Sequence, residues 1–511
     1  MILQGDKDQT AQPKGPGGAT LDELFRRAGV QSADTVALID PPNREAFTDG
    51  APRRLTYAQA DRAISALAAK LCRLGLQADT VVAIQLPNTV ESVITLLAVL
   101  RAGMIAVPLP LLWRQHDLKA ALSNVGAKVI ITASHVGAIA HADIAVQVAA
   151  DLFPIRFICA YGSDLPDGVV PLDDIFAAEQ GSIVPRSIRA GNAADHVAVV
   201  TFDVMTEGQV SVARSHTQLM AGGSAVFLEA GAVRSVNILS AIPISSFAGL
   251  AASLLPWLLE GGTLSLHHGF APTAFAAQCE AHSGGMIVLP GPALPAISAA
   301  GFLAGANTTV LALWRSPEQL AAAPGWRGES VLVDLASFGE VGLILAQRDA
   351  YGLPVAILLG VVGTPQSANV IEIMRTKHGT VALRGAMVPA HAFPPGAEYG
   401  HSAKLALDEA GFVDTGFTCR LDAASQSLTV TGPPGGVTAI GGYRFRPAEI
   451  EAQVAMVDPA ATVTALPGGI MAQQLAGSAI DTAAVRGFLL ANGANPLIAG
   501  AFRRRGGARA A

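Results

Sequence analysis

Cysteine is scarce in this 511-residue chain, which has only Cys72, Cys159, Cys279 and Cys419, none in C-x-x-C spacing. That excludes a cysteine zinc site and a disulfide framework, and leaves buried thiols as the expectation. Charge is thin as well: Asp, Glu, Lys and Arg make up 14% of the residues and the net charge is -6. Too little positive charge is present to neutralise a run of phosphates, so no nucleic-acid partner is expected. Lysine is missing altogether between Lys128 and Lys377 and again after Lys404. An apolar h-region is absent from the polar, Gly-, Gln- and Pro-rich residues 1–18, which read as a disordered tail and point to a cytoplasmic protein. The stretches Ser235 to Leu259 and Ala281 to Trp314 lack charge but are broken by Pro243, Pro256, Pro290, Pro292 and Pro295. A spanning helix needs about 20 uninterrupted apolar residues, so these are expected to be buried core, with no transmembrane segment.

What is abundant is hydrophobic sequence, 51% of the chain, enough for a large core with one or two further domains. Thr56 with Gln59 forms a capping-box pattern, and Ile64, Leu67, Ala68, Leu71 and Leu74 follow at helical spacing until Gly75. Val81 to Leu86 reads as a buried strand. Asn88 with Glu91 predicts the cap of a second helix that Gly103 ends. Ile105 to Val107 and Val129 to Ile131 read as strands around a helix from Asp117 to Val125. Val197 to Thr201 and Asn237 to Ile242 continue the strands, and Leu250 to Leu259 reads as a helix. Strand and helix alternate, which predicts a parallel sheet covered on both faces. The breaker cluster Gly432-Pro433-Pro434-Gly435-Gly436 marks a boundary. The expected organisation is a tail over 1–18, a large domain over 19–431, a hinge over 432–436 and a small, shortened α/β domain over 437–511.

The run LGLQADTVVAIQLPNTVESVITLLAVLRAGMIAVPLPLLWRQHDLKAALSNVGAKVIIT resembles the amino-terminal part of the adenylate-forming, AMP-binding superfamily of acyl-CoA synthetases and peptide-synthetase adenylation domains. Further matches follow in family order: Ser215-His216, LLEGGTLSL at Leu258 to Leu266, SFGEVG at Ser337 to Gly342, and GTVALRG at Gly379 to Gly385. GFVDTGF at Gly411 to Phe417 and GGYRFRPAEIE at Gly441 to Glu451 complete the set. The resemblance implies a large domain of layered sheets and helices with a small carboxyl-terminal domain. It also implies a reaction in which a carboxylate and ATP give an acyl-adenylate that a thiol such as CoA attacks, with magnesium as metal.

The same resemblance exposes departures. A phosphate loop of Ser, Thr and Gly ending in Pro-Lys-Gly is implied where Phe202 to Ser211 stands; Val204, Glu207 and Ser211 replace glycines, Val210 replaces lysine, and Thr206 survives. Asp203 and Glu207 place carboxylates where a triphosphate would lie, and Arg214 belongs to the following turn. The ribose-binding aspartate is replaced by Phe417 after Thr415 and Gly416; Asp414 is read as a turn residue, with a substitute role as the alternative. Pro433 and Gly436 stand at the implied hinge arginine and aspartate. The late lysine has no counterpart, and Arg503, Arg504 and Arg505 are read as a solvated tail. Gly339 and Glu340 are remnants of the magnesium motif, with Glu340 the candidate metal ligand and catalytic carboxylate and a turn glutamate its alternative. His216 is read as packing. Ser245 and Ser246, in place of the implied substrate-side histidine, are expected with Gly441 and Gly442 to border an acyl or thiol pocket.

Losing one preorganised electrostatic donor costs about 10²- to 10³-fold in rate, and at least three are replaced here. The losses fall on positions implied to touch nucleotide, while caps and core patterns are intact. The expectation is therefore an acyl-CoA-synthetase-like protein impaired in ATP-dependent activation, a pseudoenzyme candidate of fatty-acid metabolism. It would bind a small acyl or carboxylate ligand, CoA or acyl-CoA, and pair with an active relative or with itself. Two alternatives stand beside it: a divergent acyl-CoA ligase using ATP and Mg through Glu340, Asp414 and the terminal arginines, and a nucleotide-free acyl transfer on Ser245, Ser246 or Cys419.

Overall fold

The computed structural model describes residues 18–177, 182–184, 191–231, 237–282, 284–303, 308–362, 371–390, 393–394, 403–468 and 473–503. Most of the tail expected over 1–18, together with Arg504 and Arg505, lies outside them. Among the described residues the chain is α/β, with two large sheets, a buried helix packed on the first, a third antiparallel sheet, and a small carboxyl-terminal lobe.

The first sheet runs in the order Val170–Pro171, Phe157–Tyr161, Val129–Ala133, Val81–Gln85, Ile105–Pro108, Val197–Met205, Gly208–Ser215. Its pairs are parallel except the last, which is an antiparallel hairpin. The second runs Gly342–Gln347, Val331–Phe338, Thr309–Trp314, Met286–Pro290, Ile238–Ser240, Leu264–Leu266, Val36–Ile39, Arg54–Thr56, parallel inside and antiparallel at both ends. The two uncharged sequence stretches supply its centre. No helix of the described residues is long and apolar enough to cross a membrane.

Helix Val90–Arg101 is buried along its whole length, which explains why its sequence is apolar nearly all round. The Thr56–Gln59 capping box forms, and Tyr57–Arg73 is the helix it starts. The cap expected from Asn88 and Glu91 does not. Thr89 is the N-cap and makes no side-chain bond. Asn88 instead donates to the Ser240 and His267 carbonyls at 3.0 and 3.1 Å, tying the two sheets together. Glu91 accepts from Arg44 at 2.7 Å and from Arg53, while Arg44 also meets Asp40 at 2.7 Å. A carboxylate three residues past a polar one is a cap signal only when no buried arginine competes for it.

Elsewhere the expected elements shift at their ends. The helix expected from Asp117 starts at Gln115, and the strand expected over Asn237 to Ile242 is confined to Ile238–Ser240. The helix expected over Leu250 to Leu259 begins at Phe247 and passes through a widened π turn, Leu250–Leu254, before Leu255–Glu260. Pro256 accounts for the widening, because a proline ring removes an N–H and crowds the carbonyl four residues back.

The third sheet holds Ile357–Leu358, Ser427–Gly432, Val413–Asp422, Thr380–Gly385, Ile371–Arg375 and Gly360–Val362. After it, strands Thr438–Ile440 and Tyr443–Phe445 lead into helix Pro447–Val454. A separate core of Phe445, Ile450, Val454, Val463, Val485, Leu489 and Phe502 holds this last segment together.

Candidate functional site

The strand expected over Val197 to Thr201 continues to Met205 and turns back at once. Thr201 pairs with Val212, Asp203 with Val210 and Met205 with Gly208, leaving only Thr206 and Glu207 in the turn. The segment read as a degenerate phosphate loop is therefore a tight hairpin whose main chain is committed to a ladder. Alternation explains it: Val199, Thr201 and Asp203 face one way while Val210, Val212 and Arg214 answer them, and β-branched residues on alternate positions favour strand. Thr206 and Glu207 are exposed at the tip.

Asp203 points inward and is almost fully buried. Its Oδ1 accepts from the Val204 N–H at 2.8 Å and from Arg444 Nη1 at 2.6 Å, and its Oδ2 accepts from the Glu340 N–H at 2.8 Å. Arg444, on strand Tyr443–Phe445 of the carboxyl-terminal lobe, crosses to the hairpin to make this ion pair, with 6% of its side chain exposed. Its guanidinium lies 4.6 Å from the Phe417 ring centre, and Phe417 meets Phe338 edge-on at 5.4 Å. Gly339, at φ +59°, completes the cluster; a Cβ there would stand 1.9 Å from Asp203 Oδ2 and 2.7 Å from Arg444 Nη1.

Glu340 is buried beneath this pair. Its Oε2 accepts from the Phe247 N–H at 2.8 Å, so it serves the start of the helical segment at Phe247. Burial raises its pKa; Arg214 opposes that and the nearby Asp203 adds to it. Arg214, pushed down to about 10 by burial, donates to the Glu340 and Val341 carbonyls and stacks 3.8 Å over Phe247. Arg214 belongs to the hairpin strand rather than to a following turn. Among the described residues no group of three or more His, Cys, Asp and Glu is arranged to hold a metal ion.

The other expected remnants are bound into turns and sheet, and two of them, Gly416 and Thr206, lie against neighbouring residues, Pro434 and Gly435. Thr415 donates to the Val381 carbonyl at 2.7 Å. Asp414 accepts from Thr380 Oγ1 and from the Gly416 N–H, both at 2.8 Å, which is turn and sheet work. Gly416, at φ +72°, lies against Pro434. His216 accepts from the Leu21 N–H at 3.2 Å, a packing role. Cys419 is buried with its Sγ near the Gly379 carbonyl, and burial raises its pKa.

Ser245, Gly441 and Gly442, by contrast, do come together. They line one cavity of about 110 Å³, between the ends of the second sheet and the carboxyl-terminal lobe. Ile242, Pro243 and Leu313 give it apolar walls, and Arg315, which sequence reasoning missed, borders it. Ser246 lies just outside, capping the turn at Phe247 with its Oγ 3.2 Å from the Gly249 N–H and 2.5 Å from Arg315 Nη2. Arg444 and Arg315 carried no periodic signal; only the positions flanking them, the end of an apolar run and a Gly-Gly turn, could have drawn attention to them.

Residues 25–383 match the family model of AMP-binding enzymes. The chain belongs to the AMP-binding enzyme family. Over 89% of its length it is 26% identical to a 3-[(3aS,4S,7aS)-7a-methyl-1,5-dioxo-octahydro-1H-inden-4-yl]propanoyl:CoA ligase of Mycobacterium tuberculosis, covering 86% of that protein. It is also 26% identical, over 52% of the chain and 46% of the relative, to a 2-hydroxy-7-methoxy-5-methyl-1-naphthoate–CoA ligase of Streptomyces carzinostaticus. In fold it is similar to apo MbtA of Mycobacterium smegmatis, with a TM-score of 0.64 and 21% identity over 93% of this chain and 88% of that one. That likeness of fold agrees with the layered α/β architecture and the smaller carboxyl-terminal lobe.

Proposed function

We propose that this AMP-binding-family protein binds a small acyl or carboxylate ligand in the Ser245–Gly442 cavity and is impaired in activating it with ATP. The observation that carries the reading is the Asp203–Arg444 ion pair inside the closed hairpin. A triphosphate needs free amides and cations; here the hairpin main chain pairs with itself, Arg444 is neutralised by Asp203, and that buried carboxylate stands against incoming negative charge. Phe417 on Phe338 offers a ring edge where hydroxyls of a ribose would need an acceptor. ATP and magnesium do not fit the residues present. Glu340, the remaining metal candidate, is engaged by the Phe247 amide, and burial raises its pKa.

On this reading the protein is a binding or regulatory member of an acyl-CoA ligase lineage, partnered by an active relative or a second copy, and working in the cytoplasm. The division into a domain over 19–431, a hinge over 432–436 and a lobe over 437–511 belongs to the same proposal, supported by the separate core around Val454 and Val485. Calorimetric titration with magnesium-ATP tests it: no saturation by millimolar nucleotide is expected, and saturation there overturns it. An active acyl-CoA ligase is the second reading, favoured by the ligases it resembles over most of its length. That reading requires the Asp203–Arg444 pair to part during turnover.

A further inference from the structure

Arg315 follows the strand Thr309–Trp314 and enters the cavity from the sheet's carboxyl end. Its stem is fixed: a Cβ on Gly442 would stand 2.3 Å from Arg315 Cδ, so the lobe's backbone lies directly against it. Its head is aimed, because Nη2 donates to Ser246 Oγ at 2.5 Å and that oxygen is itself held by the Gly249 N–H. A serine hydroxyl orients a guanidinium without neutralising it. Arg44, Arg101, Arg348 and Arg444 each meet an Asp or Glu within 3 Å, whereas among the described residues no carboxylate pairs with Arg315.

An oriented, unneutralised guanidinium bordering a largely apolar cavity is a half-built ion pair. An anion would complete such a pair, and the walls of Ile242, Pro243, Pro290 and Leu313 suit an apolar body attached to it. We infer that the cavity selects a free monocarboxylate over its neutral acyl derivatives, and that Arg315 is the residue that makes the selection. This rests on the proposed use of the cavity as a ligand site and narrows it, since a thioester or amide carbonyl carries no charge to offer the guanidinium fork.

The test is isothermal titration of the full chain with short straight-chain, branched and aromatic monocarboxylates, each beside its primary amide and its N-acetylcysteamine thioester. Acids are expected to bind at least about 10-fold more tightly than their neutral partners, the size of a charge-assisted hydrogen bond. Arg315→Gln, with folding checked by circular dichroism, is expected to abolish the preference, and Arg315→Lys to keep part of it. Equal binding of acid and amide, a preference that survives Arg315→Gln in folded protein, or no acid saturating at millimolar concentration overturns the inference. So does Arg315-dependent binding of inorganic phosphate or CoA with no acid bound. Pyrophosphate release in the same solutions would overturn the proposed function and leave the Arg315 assignment standing.

Discussion

Two arginines reach the cleft from opposite sides of the same junction, and they are in opposite states. Arg444 comes from the carboxyl-terminal lobe and is neutralised by Asp203, packed over Phe417 and closed off by Gly339. Arg315 follows a strand of the second sheet, donates to a serine hydroxyl, and borders the cavity. The difference teaches what each environment offers a ligand: beside Arg444 protein groups fill the space, and beside Arg315 a cavity is open. One half of the cleft is core, with buried opposite charges and aromatic rings; the other half has an arginine and apolar walls around a cavity.

The sharpest way to break the contrast is to remove Arg444. Arg444→Ala leaves the buried Asp203 carboxylate unpaired and should cost about 3–5 kcal/mol in denaturant unfolding, whereas Arg444→Ala with Asp203→Ala should recover much of it. A double mutant no more stable than the single would show that the pair is not coupled. Next is Gly339→Ala, which puts a methyl into the Asp203 carboxylate at a left-handed backbone angle. It should cost about 3 kcal/mol, visible as a lowered Tm, and an unchanged Tm would mean the cluster opens easily.

The scaffold away from the cleft supplies a control on acid sensitivity. His141 is buried, with its Nδ1 3.2 Å from Gln85 Oε1, and burial lowers its pKa to about 3, with Arg114 and His268 adding to the effect. The unfolded chain therefore takes up a proton below pH 6.5 that the folded chain refuses. The stability this group provides is complete above pH 6.5 and is lost as pH falls toward about 3, at up to about 1.4 kcal/mol per unit. His141→Gln should flatten that slope in urea unfolding measured across the window, and an unaltered slope would assign the loss elsewhere. Smallest of all should be Arg315→Gln, which abandons no carboxylate and should change stability by less than about 1 kcal/mol. A loss as large as that of Arg444→Ala would show that Arg315 is structural.

How much of this was legible in the chain follows the same division. Caps and parallel strands were readable because they depend on neighbours in sequence: Thr56 with Gln59, and the apolar runs from Val81 and Val129. Glu91 misled because its partners, Arg44 and Arg53, lie 47 and 38 residues away. The family, the missing lysine and the Ser245, Gly441 and Gly442 positions could be named from motifs. The hairpin could have been read from the alternation of Val210, Val212 and Arg214, but the motif resemblance favoured a loop. That Asp203 would meet Arg444, 241 residues later, was beyond any local pattern. The unneutralised state of Arg315 is likewise a fact of three dimensions.

The most direct measurement is exchange of labelled pyrophosphate into ATP by purified protein, with magnesium and a panel of carboxylates, beside a ligase-free blank. Exchange indistinguishable from the blank is the predicted result. Carboxylate-dependent exchange at an ordinary enzymic rate would mean that the Asp203–Arg444 pair yields to nucleotide, and would contradict the account.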